Sequence, residues 1–193
     1  NGKMKLLNEI ITALSISASA ATPNVETNNN WNIIPYEPNH VEIQCLAENI
    51  YHEAKNQGTA GWSGVASVTL NRVEDSRFPN TICEVVKQGP TRESWKTRGK
   101  NVPEEERKFY PIKHRCQFSW YCDGKADTIS KYDTEIFDKI YNLSRIILNP
   151  NIILLDITDG ATHYHADYVF PEWRKTKTKT VEIGDHIFYR WEK

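Results

Sequence analysis

Apolar residues recur at helical spacing in three stretches of the chain. The first covers residues 40–56 and the second residues 60–73. The third lies between Ile136 and Ile147, and Pro150 prevents it from continuing. The pattern therefore predicts three long helices.

Two capping patterns indicate where helices begin. Asn39 is followed three residues later by Glu42, and Thr81 is followed in the same way by Glu84. In such a pair the first side chain accepts a hydrogen bond from the helix, and the carboxylate accepts one from the backbone of the cap residue. The second pair predicts a short additional helix that reaches Gln88.

Three glycines bear on how the first two helices end and pack. Gly58 is placed to end the first helix in a left-handed conformation. Gly61 and Gly64 lower the helix propensity of the second stretch, but they would allow it to approach a neighbouring element closely.

Beyond Thr158 the pattern changes to alternation with β-branched and aromatic residues. It predicts two short strands, at residues 161–165 and 187–191, with a turn at Gly184-Asp185 before the second. The predicted fold class is α+β, mainly helical, with a small β element near the C-terminus.

Composition narrows the possible classes of protein. The chain has 193 residues, 39% of them apolar and 11% aromatic, which predicts one domain with a core and excludes wholesale disorder. Its 24 basic and 25 acidic residues nearly cancel, so no global field attracts nucleic acid or anionic lipid. Residues 89–113 hold seven basic and four acidic residues and three prolines, and this predicts a solvated insertion.

The N-terminal residues 1–21 are typical of a secretory signal. Residues 10–21 carry no charge and end in the small residues Ala18-Ser19-Ala20-Ala21. They would form about 18 Å of helix, too short for a hydrocarbon core of about 30 Å, so no stable membrane span is expected. An amphipathic helix is the alternative. Residues 22–39 are expected to be a linker, and residues 40–193 the folded domain.

All four cysteines lie in that domain, at positions 45, 83, 116 and 122. An even number beside an export signal favours disulfides, and the sequence leaves all three pairings open. Buried thiols are the alternative without export. Zinc is disfavoured because the chain has no CxxC pair.

Glu53 stands in the last turn of the first predicted helix, on its core-facing side, three residues after Ile50. The negative end of the helix and apolar neighbours would both raise the pKa of this carboxyl group. A carboxyl group that keeps its proton near neutral pH suits a general acid. The structural alternative is a boundary glutamate paired with Lys55 or Arg72.

Residues 116–124 combine three aromatic rings with amide, hydroxyl and carboxylate groups between two cysteines. Aromatic faces stack on sugars while polar groups bind their hydroxyls, so the segment suits a ligand pocket. A disulfide-linked loop that packs its rings inward is the structural alternative, and both can hold together.

His163 and His165 would share one face of a strand. Two histidines do not complete a metal site, and no spacing marks a third ligand, so no metal is expected. We expect them to bind substrate or to pair structurally.

A basic run that alternates with threonine is expected to be a solvated face that could attract an anionic polymer. It consists of Arg174, Lys175, Lys177 and Lys179.

Four segments, taken in order, resemble the cell-wall hydrolase family of the spore cortex-lytic enzymes, which also occurs in phages. They are LAENIYHEAKNQGTAGWSGVASVTLNRVEDSRFPNTICEVV, CQFSWYCDG, DGATHYHADYVFPEW and IGDHIFYR. The resemblance implies a lysozyme-like fold related to lytic transglycosylases. It also implies cleavage of the bond between N-acetylmuramic acid and N-acetylglucosamine in peptidoglycan.

The resemblance places Glu53 at the family's catalytic glutamate. It implies that the substrate contacts are Gln117, Ser119, Trp120, Thr162, His163, Tyr164 and His165. The expected partner is the peptidoglycan glycan strand, without cofactor, metal or nucleic acid. We expect a monomer that is exported to the periplasm, cell wall or medium, or delivered by a phage.

The chain departs from the family pattern in three places. His52 replaces a usual glycine, Cys45 is an additional cysteine, and the segment between Gln88 and Cys116 is longer and more charged. The last departure could reshape the substrate cleft. No separate wall-binding repeat module is evident in the sequence.

The reaction itself stays open at this point. A lytic transglycosylase needs only Glu53 as acid and base, whereas a two-carboxylate hydrolytic muramidase needs a partner, for which Asp123 and Asp159 are candidates. A non-catalytic wall-binding protein and a zinc-dependent amidase that uses His163 and His165 are the remaining alternatives.

Overall fold

The computed structural model describes residues 35–192, so the predicted signal segment and most of the predicted linker lie outside the described residues. The described chain forms four α-helices: α1 (His40–Ala54), α2 (Gly58–Glu74), α3 (Ile82–Val86) and α4 (Thr134–Ile147). Its strands are β1 (Thr91–Glu93), β2 (Phe109–Pro111), β3 (His163–Ala166), β4 (Thr178–Ile183) and β5 (His186–Arg190). Short 3-10 helices cover Glu104–Glu106, Ser119–Cys122 and Glu172–Thr176. The predicted class, mainly helical with a small β element, is confirmed.

Helix α1 is the centre of the helical part and packs against α2, α3 and α4. Leu46 and Ile50 of α1 are fully buried together with Val65 of α2 and Ile140 of α4. These positions follow the helical periodicity of the sequence, so burial of one apolar face per helix assembles the core.

The two predicted capping pairs form differently. Thr81 accepts from the backbone of Glu84, and its hydroxyl donates to the Glu84 carboxylate. Asn39 likewise accepts from the backbone of Glu42, at 3.2 Å. The prediction of a returning carboxylate is wrong here, because Glu42 instead accepts from the backbone nitrogen of Ile82, at 2.7 Å. That nitrogen lies in the first turn of α3, where backbone N–H groups have no partner within the helix.

Gly64 lets α2 approach the sheet. A methyl group added there would stand 2.8 Å from Cζ of Phe188 on β5, which is closer than real contacts allow. Gly58 has the expected left-handed backbone, with φ of 66°, but it is the first residue of α2, because α1 already ends at Ala54. The expectation for Gly61 is wrong, because an added methyl group would meet the side chain of Gln57 and no packed neighbouring element.

The C-terminal sheet is antiparallel, in the order β3-β5-β4. Phe188 on β5 is fully buried with Val68 of α2 and Ala161. The two predicted strands are present, displaced by one or two residues. The edge strand β4 was not predicted, because its first residues, Thr178 and Lys179, expose their side chains and read as a solvated basic face.

The insertion at residues 89–113 contains a two-stranded antiparallel hairpin, which we call the β1–β2 hairpin. Its strands place Arg92 opposite Tyr110. The prediction of solvated side chains holds for most of the segment. The pairing was not predicted, because strands of three residues with charged side chains give no clear alternation.

The four cysteines form two disulfides, Cys45–Cys83 and Cys116–Cys122. The predicted disulfides are therefore confirmed, and the additional Cys45 joins α1 to α3. Within residues 35–192, no helix combines the length and apolar character that crossing a membrane requires.

Candidate active site

A groove of about 550 Å³ lies between the end of α1, the disulfide-closed segment 116–122 and strand β3. Six of the eight predicted site residues line it. They are Glu53, Gln117, Ser119, Trp120, Tyr164 and His165. The structure therefore brings most of the predicted site residues together in one groove.

Glu53 is partly buried at the side of this groove. The Tyr164 hydroxyl donates a 2.9 Å hydrogen bond to its Oε2. The alternative partner Lys55 is engaged elsewhere, because its ammonium binds the carboxylate of Asp133 at 2.6 Å. Within the described residues Glu53 forms no salt bridge, so the boundary ion pair is not observed.

The surroundings of Glu53 raise its pKa. Burial is the largest cause, since a charge that leaves water loses its solvation. The hydrogen bond from Tyr164 and the positive charge of Arg72 offset part of the increase. Burial also raises the pKa of the Tyr164 hydroxyl, which therefore keeps its proton and remains a donor. The site thus favours a neutral carboxyl group and still stabilises its anion.

Arg72 of α2 supplies a buried positive charge beside this pair, with 4% of its surface exposed. Its Nε donates to the backbone oxygen of Thr162, at 2.7 Å. The guanidinium lies over the rings of Phe78 and Phe118. Burial lowers the pKa of Arg72 to about 10, so it stays charged at neutral pH.

Trp120 is held in the groove by two residues of α1. Its indole Nε1 donates to the fully buried Asn49, at 3.0 Å. One ring face stacks on His52, with centroids 4.3 Å apart and planes 18° from parallel. Asn49 is fixed in turn by a 3.1 Å hydrogen bond to Thr69 of α2. The helix that carries Glu53 therefore also orients the aromatic ring beside it.

The segment 116–122 combines both roles expected from its sequence. Phe118 is almost fully buried and packs inward. Gln117 and Ser119 are exposed and line the groove with Trp120. The Cys116–Cys122 disulfide closes this short loop and limits the conformations of the side chains between its ends.

Thr162 and His163 do not line the groove. His163 lies instead among the rings of Phe78, Trp173 and Trp191. Thr162 is buried, and its hydroxyl forms a 2.9 Å hydrogen bond with Nδ1 of His163. Burial, with nearby positive charges, lowers the pKa of His163 to about 3. Both residues therefore lie outside the groove, at the start of β3.

His165 lines the groove, yet both of its ring nitrogens are occupied. Nδ1 is 2.8 Å from the backbone oxygen of Ala166, and Nε2 is 3.0 Å from the hydroxyl of Tyr189. His163 and His165 both contact Trp173, as expected for residues on one strand face. Across residues 35–192, no three His, Cys, Asp or Glu side chains are grouped as metal ligands.

The two candidate second carboxylates differ in position. Asp123 lines the groove, where its Oδ1 accepts a hydrogen bond from the backbone of Lys125. Asp159 does not line it and instead pairs with Arg190, at 2.6 Å. Of these two candidates, only Asp123 lines the groove.

Several residues that line the groove were not predicted from the sequence to do so. They are Arg72, which was considered only as an ion-pair partner of Glu53, and Tyr168, Val169 and His186. The ring centroid of His186 lies 4.9 Å from that of Tyr164. The pairing of β3 with β5 brings the two together, and the sequence does not fix that register. The apolar residues after β3 were a usable signal, because Tyr168, Val169 and Phe170 form a short apolar run just after Asp167.

Residues 56–189 match the family model described as cell wall hydrolase. The match begins just after Glu53. Two spore cortex-lytic enzymes, both from Bacillus cereus, are 33% identical to the chain over 70 residues, which cover 36% of this chain and 27% of each relative. The chain thus matches about a quarter of the length of these curated relatives.

Two solved structures resemble this one. The catalytic domain of the germination-specific lytic transglycosylase SleB from Bacillus anthracis has a TM-score of 0.51 and 25% identity, covering 81% of this chain and 100% of that domain. The catalytic domain of Bacillus cereus SleB has a TM-score of 0.47 and 23% identity, covering 81% and 95%. The first likeness agrees with the observed architecture, and the predicted lysozyme-like fold is confirmed.

Proposed function

The chain belongs to the cell wall hydrolase family, and from this premise we propose that it is an enzyme that degrades peptidoglycan as a lytic transglycosylase. The bond cleaved is the glycosidic bond between N-acetylmuramic acid and N-acetylglucosamine. The observation that carries the proposal is the position of Glu53, which is partly buried, accepts a hydrogen bond from Tyr164 and lines the same groove as Gln117, Ser119 and Trp120.

Glu53 is the general acid and then the general base. Its carboxyl group, neutral because burial raises its pKa, gives a proton to the glycosidic oxygen as that bond breaks. Positive charge develops at the anomeric carbon of the muramic acid. The hydrogen bond from Tyr164 and the charge of Arg72 stabilise the carboxylate that has formed.

The carboxylate then takes a proton from the C6 hydroxyl of the same muramic acid. The hydroxyl oxygen bonds to the anomeric carbon and closes a 1,6-anhydro ring, while Glu53 returns to its neutral form. No water is consumed, and no second carboxylate is needed. Gln117, Ser119 and Trp120 bind the glycan along the groove, and His165 supports its wall.

Thr162 and His163 have a different role in this proposal from the one implied by the family resemblance. They do not line the groove, so we assign them to positioning β3 and its Tyr164. Thr162 is suited to this because its backbone oxygen also holds Arg72.

Hydrolysis is the second candidate, and the presence of Asp123 in the groove favours it. A hydrolytic muramidase would use water in place of the C6 hydroxyl, with a second carboxylate to activate the water or to stabilise the positive sugar. The two reactions differ in their products, because a 1,6-anhydro end is lighter by one water than a reducing end.

Mass spectrometry of glycan fragments released from purified peptidoglycan tests the proposal. Lytic transglycosylation predicts anhydro ends, whereas a pool of reducing ends alone would establish hydrolysis. Release of stem peptides that stops after exhaustive chelation would point to a zinc-dependent amidase. Wall binding without any product would mark a non-catalytic binding protein.

We also propose that residues 40–193 form the catalytic domain and that the protein acts outside the cytoplasm as a monomer. Two disulfides support export, since such bonds persist in oxidising compartments. The predicted signal segment at residues 1–21 would direct that export.

A further inference from the structure

The β1–β2 hairpin carries a cluster of cations that no acid neutralises. Arg92, Lys96 and Arg98 line one depression of about 450 Å³, and within residues 35–192 none of the three forms a salt bridge. Exposed cations elsewhere are often paired, as Lys139 is with Glu135 and Lys175 with Glu172.

One carboxylate, that of Glu93, also lines this depression. Glu93 faces Arg107, with 3.9 Å between Oε1 and Nε, and most of its side chain is buried. The insertion at residues 89–113 has seven basic and four acidic residues in a chain of net charge −1. Positive charge is therefore concentrated on the hairpin, where it attracts anions.

Exposed aromatic rings accompany these cations. Trp95 is 74% exposed and Tyr110 is 57% exposed, and both line the same depression. Arg92 lies directly across the ribbon from Tyr110. Aromatic rings that are this exposed to water gain apolar contact when a sugar or polyol covers them.

The loop that bears these groups is held in one conformation. The backbone nitrogens of Thr97 and Arg98 both donate to the backbone oxygen of Ser94, at 3.1 and 2.8 Å. Ser94 in turn donates its backbone N–H to the backbone oxygen of Lys108, at 2.7 Å. A preformed loop loses little conformational freedom when it binds.

The hairpin is also joined to the proposed active site. The backbone of Gln117 donates to the backbone oxygen of Gln88, at 2.9 Å, just before the hairpin begins. At Gly89 the chain passes so close to Cys116 that an added methyl group would stand 2.9 Å from its sulfur. The hairpin therefore begins next to the segment that carries Gln117, which lines the groove.

We propose that the β1–β2 hairpin binds a wall-attached polymer whose sugar or polyol units are joined by phosphodiesters. Guanidinium groups form paired hydrogen bonds with phosphate oxygens, and the aromatic rings pack on the units between them. The peptide stems of peptidoglycan fit the cations less well, because amino groups of the stems neutralise many of the stem carboxylates. The partner follows from the proposed function, whereas the charge and geometry of the hairpin do not depend on it.

The test compares two variants that each lose three charges, both made with Glu53→Gln so that walls are not digested. The hairpin variant is Arg92→Gln, Lys96→Gln and Arg98→Gln. The matched control is Lys131→Gln, Lys139→Gln and Arg145→Gln, at exposed positions that lie outside the hairpin and do not line the groove. Binding is measured by co-sedimentation with purified walls, before and after hydrofluoric acid removes phosphodiester polymers.

We expect the hairpin variant to bind intact walls about tenfold more weakly than the parent and to lose most of the salt dependence of binding. Trp95→Ala should weaken binding while keeping that salt dependence. The control should bind like the parent, and stripped walls should bind parent and hairpin variant equally. Unchanged melting temperatures show that each variant is folded.

Three results would overturn the proposal: equal losses in the hairpin variant and the control, parent binding to stripped walls that is as tight as its binding to intact walls, or tighter binding to a single-stranded DNA oligonucleotide than to intact walls. Failure of the proposed function would be seen in a cleavage assay and not in these binding measurements. With Glu53 restored, a protein that cleaves neither walls nor short phosphate-free glycans is not a glycan-cleaving enzyme, whatever its hairpin binds.

Discussion

The Tyr164 hydroxyl donates a 2.9 Å hydrogen bond to Oε2 of Glu53 and so joins β3 to the last turn of α1, across 111 residues of chain. The bond links the two halves of the groove. It also acts on the proton of Glu53, because a donated hydrogen bond favours the anion while burial favours the neutral acid.

Removal of that donor should shift the pH dependence of activity. In Tyr164→Phe the Glu53 anion loses a hydrogen bond, so the pKa of Glu53 rises further. Because the acid must be protonated to act, the alkaline limb of the kcat/KM profile moves to higher pH. The maximal rate falls about tenfold, since the carboxylate formed in the reaction is less stable. Tyr132→Phe, an exposed site outside the groove, is the control, and a limb that does not move contradicts the argument.

Glu53→Gln should reduce wall digestion by about a hundredfold to ten-thousandfold, the range typical of a lost general acid. The amide keeps the shape of the side chain and can still accept from Tyr164, so binding to walls should persist. Turbidity loss of purified walls gives the rate, and co-sedimentation gives the binding. Digestion at the parental rate would show that the proton comes from another group.

The same substitution should stabilise the fold at neutral and alkaline pH. The pKa of Glu53 is raised in the folded chain, so its contribution to stability is present at low pH and is lost as the pH rises through that pKa. Glutamine has no charge to bury. The melting temperature of Glu53→Gln relative to the parent should therefore be higher by a few degrees at pH 8 and similar at pH 4. The exposed control Glu105→Gln should show no such trend, and a constant difference at both pH values would contradict the cause given.

Gly64→Ala should destabilise the fold by about 1–3 kcal/mol, because the added methyl group overpacks the contact with Phe188. Phe188 is fully buried, so its ring cannot turn outward into solvent without losing core contacts. Urea unfolding measures the loss. The effect should shrink when Phe188 is replaced by leucine, which removes the outer ring atoms, and an equal loss in both backgrounds would assign it to another cause.

Helical periodicity was enough to predict the face of α1 on which Glu53 lies, because it fixes side-chain direction, but the catalytic role of Glu53 was implied by the family resemblance. Residue chemistry marked residues 116–124 as a segment suited to a ligand pocket, and the resemblance then singled out Gln117, Ser119 and Trp120 within it. Contacts between distant segments were not accessible in this way. The meeting of Tyr164 with Glu53, the charge of Arg72 and the place of His186 depend on how β3 and β5 dock on the helices.

The contiguous block from Thr162 to His165 shows the same limit. Neighbouring residues on a strand point to opposite sides, but that alternation alone does not decide which residues of the block line the groove. The structure places Tyr164 and His165 in it and leaves Thr162 and His163 outside. Strand spacing correctly paired the two histidines on one face, but which residues face the groove depended on packing.

Substitution of His52 tests whether a stacked ring positions Trp120 for glycan binding. Its ring stacks on Trp120, and burial lowers the pKa of His52, so two neutral rings meet at neutral pH. A stack of this kind contributes about 0.5–1.5 kcal/mol, which corresponds to about a twofold to tenfold change in affinity.

His52→Ala should therefore raise KM for short glycans about twofold to tenfold while kcat changes little, because Glu53 and Tyr164 keep their geometry. The indole of Trp120, still held by Asn49 but without a ring behind it, should also become more mobile, as measured by fluorescence anisotropy decay. Since five other tryptophans emit, the measurement uses the difference from Trp120→Phe. His52→Phe restores a flat ring and should recover the parental KM. If alanine and phenylalanine behave alike, the stack does not position Trp120 and the hydrogen bond to Asn49 is sufficient to hold it.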